Sequence, residues 1–244
     1  MDKEKYFSSV YDMDTVYNVC NQILREVISL SNVSMAHVIM EPENVSLLHK
    51  HNKMTEVYYI LNGKGVLYLG DKAYQVNDDN CIIIPKQIPH KLRNTENVNL
   101  EHLVFAIPPF NPSDVILLED FLKEPAIEEL NKNYNSITAL DGATIYELLS
   151  GEDYIKEIGL AYGSLPKKRK AIKHKHEKSE EVYYILSGEG RVKVSKSYKD
   201  IKKGDVIYIP KNFAHALENT SDDKELKLLC ISDPRYENKD FIIV

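Results

Sequence analysis

Two segments of this sequence carry the same chemistry-bearing side chains at the same spacing. His49 to Gly65 reads H-K-H-N-K-M-T-E-V-Y-Y-I-L-N-G-K-G, and His174 to Gly190 reads H-K-H-E-K-S-E-E-V-Y-Y-I-L-S-G-E-G, an offset of 125 residues (174 minus 49). Two histidines separated by one residue project from one face of a strand, since side chains alternate faces with a period of two. Lys50 and Lys175 therefore point the other way. Glu56 and Glu181 open the next apolar run, E-V-Y-Y-I-L, which ends in a glycine-containing turn suited to a hairpin. A third histidine follows each copy: Pro85/Pro210, His90/His215 and Asn94/Asn219 all keep the offset of 125. Six of the eight histidines fall into this scheme, a use of histidine that core packing alone does not require.

Three neutral imidazoles and one carboxylate give a divalent transition metal a mixed nitrogen and oxygen site, which suits Mn, Fe, Co, Ni, Cu or Zn without choosing among them. The bland alternatives are histidines satisfied by hydrogen bonds in a β core, or a closed four-coordinate zinc clip. Complete sets in both copies favour metal, up to two ions per chain. Open coordination positions would permit Lewis-acid polarisation, bidentate substrate binding or O2 activation. Tyr58 and Tyr183 lie two residues after the glutamates, on the same strand face, and are the candidate catalytic residues. Packing with a satisfied hydroxyl is the commoner role for such a tyrosine. Asn94 and Asn219 share a face with the third histidine and read as hydrogen-bonding supports. His37 and His102 align with Tyr162 and Lys227 at the same offset and read as structural.

Both copies resemble the cupin superfamily, as a small bicupin. The family's motifs, G-x5-H-x-H-x3,4-E-x6-G and G-x5-P-x-G-x2-H-x3-N, are recognisable in each half. The resemblance implies an all-β fold of two tandem double-stranded β-helix (jelly-roll) barrels, stacked as a pseudo-twofold pair. It implies metal ligands His49, His51, Glu56 and His90 in one barrel, and His174, His176, Glu181 and His215 in the other. The motif glycines are incomplete. Glu43 and Lys168 replace the first, Asp79 replaces another in copy one, and Gln87 and Asn212 replace the last. Asp and Asn tolerate left-handed turns better than most residues. The chemistries the resemblance implies are dioxygenase, decarboxylase or isomerase reactions on a small polar or anionic molecule; the alternative is a non-catalytic small-molecule or sugar-binding cupin.

Composition narrows the partners. A formal net charge of −6 argues against nucleic acid, whose phosphates want a basic surface. No apolar run approaches the ~18 residues of a membrane span, and the start M-D-K-E-K-Y-F lacks the apolar stretch of a signal peptide. Three cysteines, an odd number, suggest reduced thiols in a cytoplasmic protein, with Cys81 and Cys230 as small buried hydrophobes. The expected partner is a small-molecule substrate, and a homodimer is compatible with the sequence.

The elements that must position these residues are mostly short strands. From Val33 onward, runs such as S-M-A-H-V-I-M, E-V-Y-Y-I-L, C-I-I-I and L-E-H-L-V-F-A are punctuated by turn residues, a sandwich or barrel pattern. Before them, apolar residues at 16, 19, 20, 23, 24, 27 and 28 have the period of an amphipathic helix over residues 14–28. Residues 112–140 are acidic, show no counterpart in the repeat and read as a connector with a short helix, so the domains are expected at 1–125 and 126–244. The exit P-P-F-N-P matches the later D-P-R-Y, with Pro109 opposite Pro234. The halves differ most over Lys167–Lys178, with seven basic residues against one glutamate. Such a run is usually a solvated face. Lys170 shares parity with His174 and is the one lysine expected to face an anionic ligand, which would make the second domain the better anion site.

Overall fold

The computed structural model describes residues 6–120, 125–130, 134–140, 142–149 and 155–244. Its elements are strands and three single 3-10 turns (Val10–Asp12, Pro112–Asp114 and Asn238–Asp240), with no α-helix among the described residues. The first half contains β1 (Phe7–Ser9), β2 (Val16–Tyr17), β3 (Ile23–Ser29), β4 (Ser34–Met40), β5 (His49–His51), β6 (Thr55–Asn62), β7 (Gly65–Leu69), β8 (Lys72–Val76), β9 (Cys81–Ile84), β10 (His90–Asn94), β11 (Leu100–Ile107) and β12 (Val115–Leu117). The connector adds β13 (Ile127–Glu129) and β14 (Ser136–Thr138). The second half contains β15 (Thr144–Glu147), β16 (Gly159–Leu165), β17 (His174–Lys175), β18 (Glu180–Ser187), β19 (Glu189–Val194), β20 (Ser197–Lys202), β21 (Asp205–Ile209), β22 (His215–Asn219), β23 (Leu226–Asp233) and β24 (Ile242–Ile243).

Each half is a pair of sheets. The first pairs β2-β3-β4-β11-β6-β9 with β12-β5-β10-β7-β8-β13, and the second pairs β1-β21-β18-β23-β16-β15-β14 with β20-β19-β22-β17-β24. Alternation along the strands turns one face of every sheet inward. Val38, Met40, Tyr58, Ile60 and Ile82 of one sheet thus meet Leu67, Val76 and Leu92 of the other. In the second barrel Tyr183, Ile185, Ile207 and Leu228 likewise meet Val192, Val194, Ile201 and Leu217. Burial of such side chains is worth roughly 1.5–3 kcal/mol each, so neither barrel depends on an ion for its core.

The compact units are Met13–Asn133, and Tyr134–Val244 together with Met1–Asp12. The sequence expectation placed the boundary at 125/126. Residues 127–129 instead pair with β8 of the first barrel, and Phe7–Ser9 pair with β21 of the second, so hydrogen bonding rather than chain order assigns both ends.

The helix expected over 14–28 is absent, and its place is taken by β2 and β3. A β-bulge between Glu26 and Ile28 adds one residue to β3 and breaks the period of two. Apolar residues at 23, 24, 27 and 28 then imitate helical spacing. Just before, the Asn18 side-chain oxygen accepts from the backbone N–H groups of Cys20 and Gln22, an alternative the backbone takes over helical bonding. The helix expected in the connector reduces, among the described residues, to the Pro112–Asp114 turn.

The repeat extends further than the sequence comparison indicated, with one slip. His37 pairs with Leu103 and Tyr162 with Leu229, so β4 and β16 keep the offset of 125 while β11 and β23 stand at 126. One extra residue lies in the loop after Asn219. Pro234 therefore corresponds to Pro108 rather than Pro109, and His102 to Leu228 rather than Lys227. The same offset matches Pro112–Leu117, expected to lack a counterpart, with Asn238–Ile243: each is a 3-10 turn followed by a strand pairing with the H-x-H strand.

Candidate metal centres

In each barrel the H-x-H strand lies beside the strand of the third histidine, with His49 opposite His90 and His174 opposite His215. The glutamate comes from the facing sheet, on β6 or β18. The turns between them need left-handed backbone at the motif glycine positions. Glu43 (φ +61°), Asp79 (+62°), Gln87 (+68°), Lys168 (+59°) and Asn212 (+66°) all adopt it without being glycine. Gly65 and Gly190 answer a different constraint: a Cβ there would collide with the carbonyl oxygens of Arg93 and Glu218.

The eight expected ligands assemble as two groups, His49, His51, Glu56 and His90, and His174, His176, Glu181 and His215; within each, one ligand atom per residue lies within 4.8 Å of the others. Glu56 Oε2 is 3.3 Å from His51 Nε2 and 3.2 Å from His90 Nε2. Glu181 Oε2 is 3.4 Å from His176 Nε2 and 3.1 Å from His215 Nε2. Atoms about 2.0–2.2 Å from a common ion would sit at such separations.

The backbone fixes the tautomer of five of these six rings. Nδ1 of His49, His90, His174, His215 and His176 lies 2.7, 3.1, 2.7, 3.1 and 3.0 Å from the backbone carbonyls of Leu47, Ile88, Ile172, Phe213 and Asp240. A carbonyl only accepts, so each Nδ1 carries the hydrogen and, in a neutral ring, each Nε2 presents a lone pair. Nε2 of His51, His90, His176 and His215, with Glu56 Oε2, are buried without a hydrogen-bond partner. Lone pairs facing a carboxylate in a buried site are repulsive unless a cation lies between them.

Burial, with the neighbouring His90 or His215, lowers His49 and His174 to about 4, so both are neutral at pH 7. Burial alone would raise Glu56 and Glu181, but N–H donors and positive charge on the facing imidazoles, whose place a bound cation would take, hold both well below the usual carboxylate range. His176 is the exception: burial opposes its charge, yet Glu181 and Asp240 draw its pKa up.

Tyr58 and Tyr183 are buried beside the centres, their rings 6.2 and 6.0 Å from those of His90 and His215. Burial, then the nearby glutamate, pushes both hydroxyls well above 10. They remain protonated at neutral pH. Asn94 and Asn219 act on the backbone: the Asn94 amide donates to the carbonyls of Met40, Glu41 and Val98, and that of Asn219 to Leu165 and Lys224. His37 pairs with Glu101 at 3.0 Å on the opposite face of its strand from Val38. His102 is buried against Tyr58 with neither ring nitrogen hydrogen-bonded.

Lys170 does not face the second centre. It bridges Glu218, and its side chain is 70% exposed and 3.1 Å from that carboxylate. Between the Lys170–Glu218 and His174–His215 pairs one strand advances four residues and the other three. The extra residue breaks the parity that aligned Lys170 with His174. Lys168, Lys175 and Lys178 are likewise paired, with Asp222, Glu177 and Glu237.

Sequence reasoning missed four features. Asp114 accepts from the N–H groups of Lys53 and Met54, and Asp240 from those of Glu177, Lys178 and Ser179, fixing the turn after each H-x-H. The one-residue slip hid this pair. Phe241 stacks on His174, centroids 4.1 Å apart. Cys230 donates to Glu181 Oε1 at 3.4 Å. In the first barrel, a cavity of about 390 Å³ reaches from His49, His51, Glu56 and Tyr58 to Asn18, Cys20 and Gln22.

The cupin domain family matches residues 36–106 and 162–232, together more than half of the chain. The protein belongs to the cupin family, and the paired match makes it a bicupin with a metal-site group in each barrel. An uncharacterized protein of Methanocaldococcus jannaschii is 42% identical over 102 residues, 41% of this chain and 80% of that one. Another from Aquifex aeolicus is 35% identical over 78 residues, 32% of this chain and 62% of that one. Oxalate decarboxylase from Bacillus subtilis at pH 4.6 shares the fold with a TM-score of 0.70 at 19% identity, covering 96% of this chain and 77% of that one. A further structure of that enzyme, concerned with its Mn(II) centres, gives a TM-score of 0.71 at 18% identity, covering 96% and 78%. Among the described residues, no helix is long and apolar enough to cross a membrane.

Proposed function

We propose that the protein is a metal-dependent enzyme acting on a small molecule that chelates through oxygen, with the first barrel as the reacting site. The observation that carries this is the convergence of the buried His49, His51, Glu56 and His90 side chains at the end of an accessible cavity. His49, His51, Glu56 and His90 would hold the divalent ion, which would supply Lewis acidity and, with a redox-active metal, access to O2. Mn is the first candidate because the Bacillus subtilis enzyme of the same fold has Mn(II) centres.

The chain's own residues supply the rest. Leu47 and Ile88 carbonyls fix two imidazoles, and burial keeps His49 neutral and ready to ligate. Tyr58, held protonated, can donate a hydrogen bond or a proton to an oxyanion developing on the substrate; it is a poor base at neutral pH. Val38, Val104 and Ala106 line the cavity beside these groups and exclude water.

Elemental analysis after reconstitution with Mn, Fe, Ni or Zn should approach two ions per chain. His90→Ala and His215→Ala should each remove about one equivalent. O2-uptake and CO2-release screens of the metal-loaded protein against small acids, diketones and phenols should find turnover that His90→Ala abolishes and His215→Ala retains. Metal content near zero with every ion, or turnover dependent only on His215, refutes the proposal.

A further inference from the structure

Building on the reading that an ion occupies the first barrel, we infer that its cavity selects a bidentate oxygen chelator with an apolar body, no more than one negative charge and a further hydrogen-bond acceptor for Gln22, in preference to a compact dianion.

The apolar requirement comes from the walls. Beyond the ligands, Leu24, Val27, Ile28, Met35, Val38 and Val104 contribute to the lining of a cavity of about 390 Å³. That volume lies in the range of about 300–1,000 Å³ that suits organic ligands of drug-like size, far more room than two linked carboxylates need. An apolar body filling it would gain roughly 25 cal/mol per Å² removed from water.

The charge limit comes from what the lining lacks. No lysine or arginine is among the described lining residues, which include two carboxylates, Glu26 and Glu56. A second carboxylate on the ligand would lie next to them with only the ion as counter-charge, and burying an unpaired charge is costly. A chelating enolate spreads a single charge over the two oxygens that face the ion.

The acceptor requirement comes from Gln22, which is 5% exposed. Asn18 Oδ1 accepts from two backbone N–H groups, so the Asn18 amide nitrogen is the atom that faces Gln22. It donates to Gln22 Oε1 at 3.2 Å, which fixes the glutamine's orientation and leaves Nε2 as the free end. That Nε2 is buried without a hydrogen-bond partner on a residue that lines the cavity. A buried donor left unmatched costs about 1–3 kcal/mol, and a carbonyl or ether oxygen on the ligand would satisfy it.

The test uses the full chain carrying His215→Ala and loaded with Co(II), so that the visible spectrum reports the first centre alone. Titration with p-methoxybenzoylacetone, whose ether oxygen is an acceptor beyond the chelating pair, and with oxalate should give a Kd at least tenfold lower for the diketone. Gln22→Leu, close in volume, should raise the p-methoxybenzoylacetone Kd about tenfold with metal content unchanged, and leave that of benzoylacetone, which lacks the third oxygen, nearly unmoved. Gln22→Glu, which replaces the donor with an acceptor, should raise the p-methoxybenzoylacetone Kd at least as much. Co(II) failing to bind the His215→Ala chain overturns both this inference and the function on which it rests. Co(II) binding with oxalate equal to or tighter than p-methoxybenzoylacetone, or with a p-methoxybenzoylacetone Kd indifferent to both Gln22 variants, overturns this inference alone.

Discussion

The two centres share ligand types, strand placement and carbonyl-fixed imidazoles, and they differ in how the glutamate is held. Glu181 has a donor on each oxygen: the Tyr183 hydroxyl at 3.2 Å on Oε2 and the Cys230 thiol at 3.4 Å on Oε1. In the first barrel Val104 stands where Cys230 does, so the thiol donor is missing, while the Tyr58 hydroxyl faces Glu56 as Tyr183 faces Glu181. The surroundings differ too. His174 is stacked on Phe241 and His176 lies edge-on to Tyr236, whereas the counterparts of these rings at the offset of 126 are Val115 and Phe110, of which only Phe110 lies at the cavity. The second centre thus has its ligands held by hydrogen bonds and aromatic packing, and the first has a cavity beside its own. Duplication of a ligand set does not duplicate its surroundings, because those depend on residues outside the repeated motif.

The largest expected contrast is in acid. Burial lowers His102 to about 3, and the second barrel has Leu228 in its place. The unfolded chain binds a proton at His102 below pH 6.5, whereas the folded chain does so only near 3. Stability is therefore complete above pH 6.5, falls as pH drops through that window, and levels off below it. His102→Leu should recover about 2 kcal/mol at pH 5 relative to pH 7.5 in the metal-free protein. Urea denaturation at the two pH values would measure it, and an unchanged pH difference would break the contrast.

Cys230→Val, which gives the second barrel the residue of the first, should weaken metal retention at the second centre by about tenfold. Competition with a chelator in a His90→Ala background isolates that centre. Retention identical to the parent would mean that the thiol does not orient Glu181. The smallest contrast lies in the turns. Glu43 and Lys168 occupy matching left-handed positions, but Lys168 also bonds the Thr220 carbonyl and Asp222. Glu43→Gly should raise stability by about 1 kcal/mol by removing the left-handed penalty. Lys168→Gly should gain less, because those contacts are lost; equal gains in thermal melts would show that they contribute nothing.

The ligand set, the strand pattern and the two-barrel fold were legible in the sequence because each depends on local order. Alternation puts two histidines one residue apart on one face, and a repeated offset exposes the motif twice. Where one residue is inserted, the same reasoning fails. The bulge in β3 made a strand look helical, the extra residue before His174 turned Lys170 outward, and the longer loop after Asn219 concealed the match of Asp114 with Asp240.

What the sequence determined by itself is which atoms can meet an ion, because ligand chemistry belongs to residue types and a strand's period is fixed by its backbone. Only the tertiary structure decided which segment covers each centre: Asn18, Cys20 and Gln22 line the first, and Phe241 and Cys230 confine the second. Those contacts join residues 27 to 67 positions apart in the chain. No local period encodes them, since they arise only when two sheets close face to face and bring distant strands within van der Waals reach.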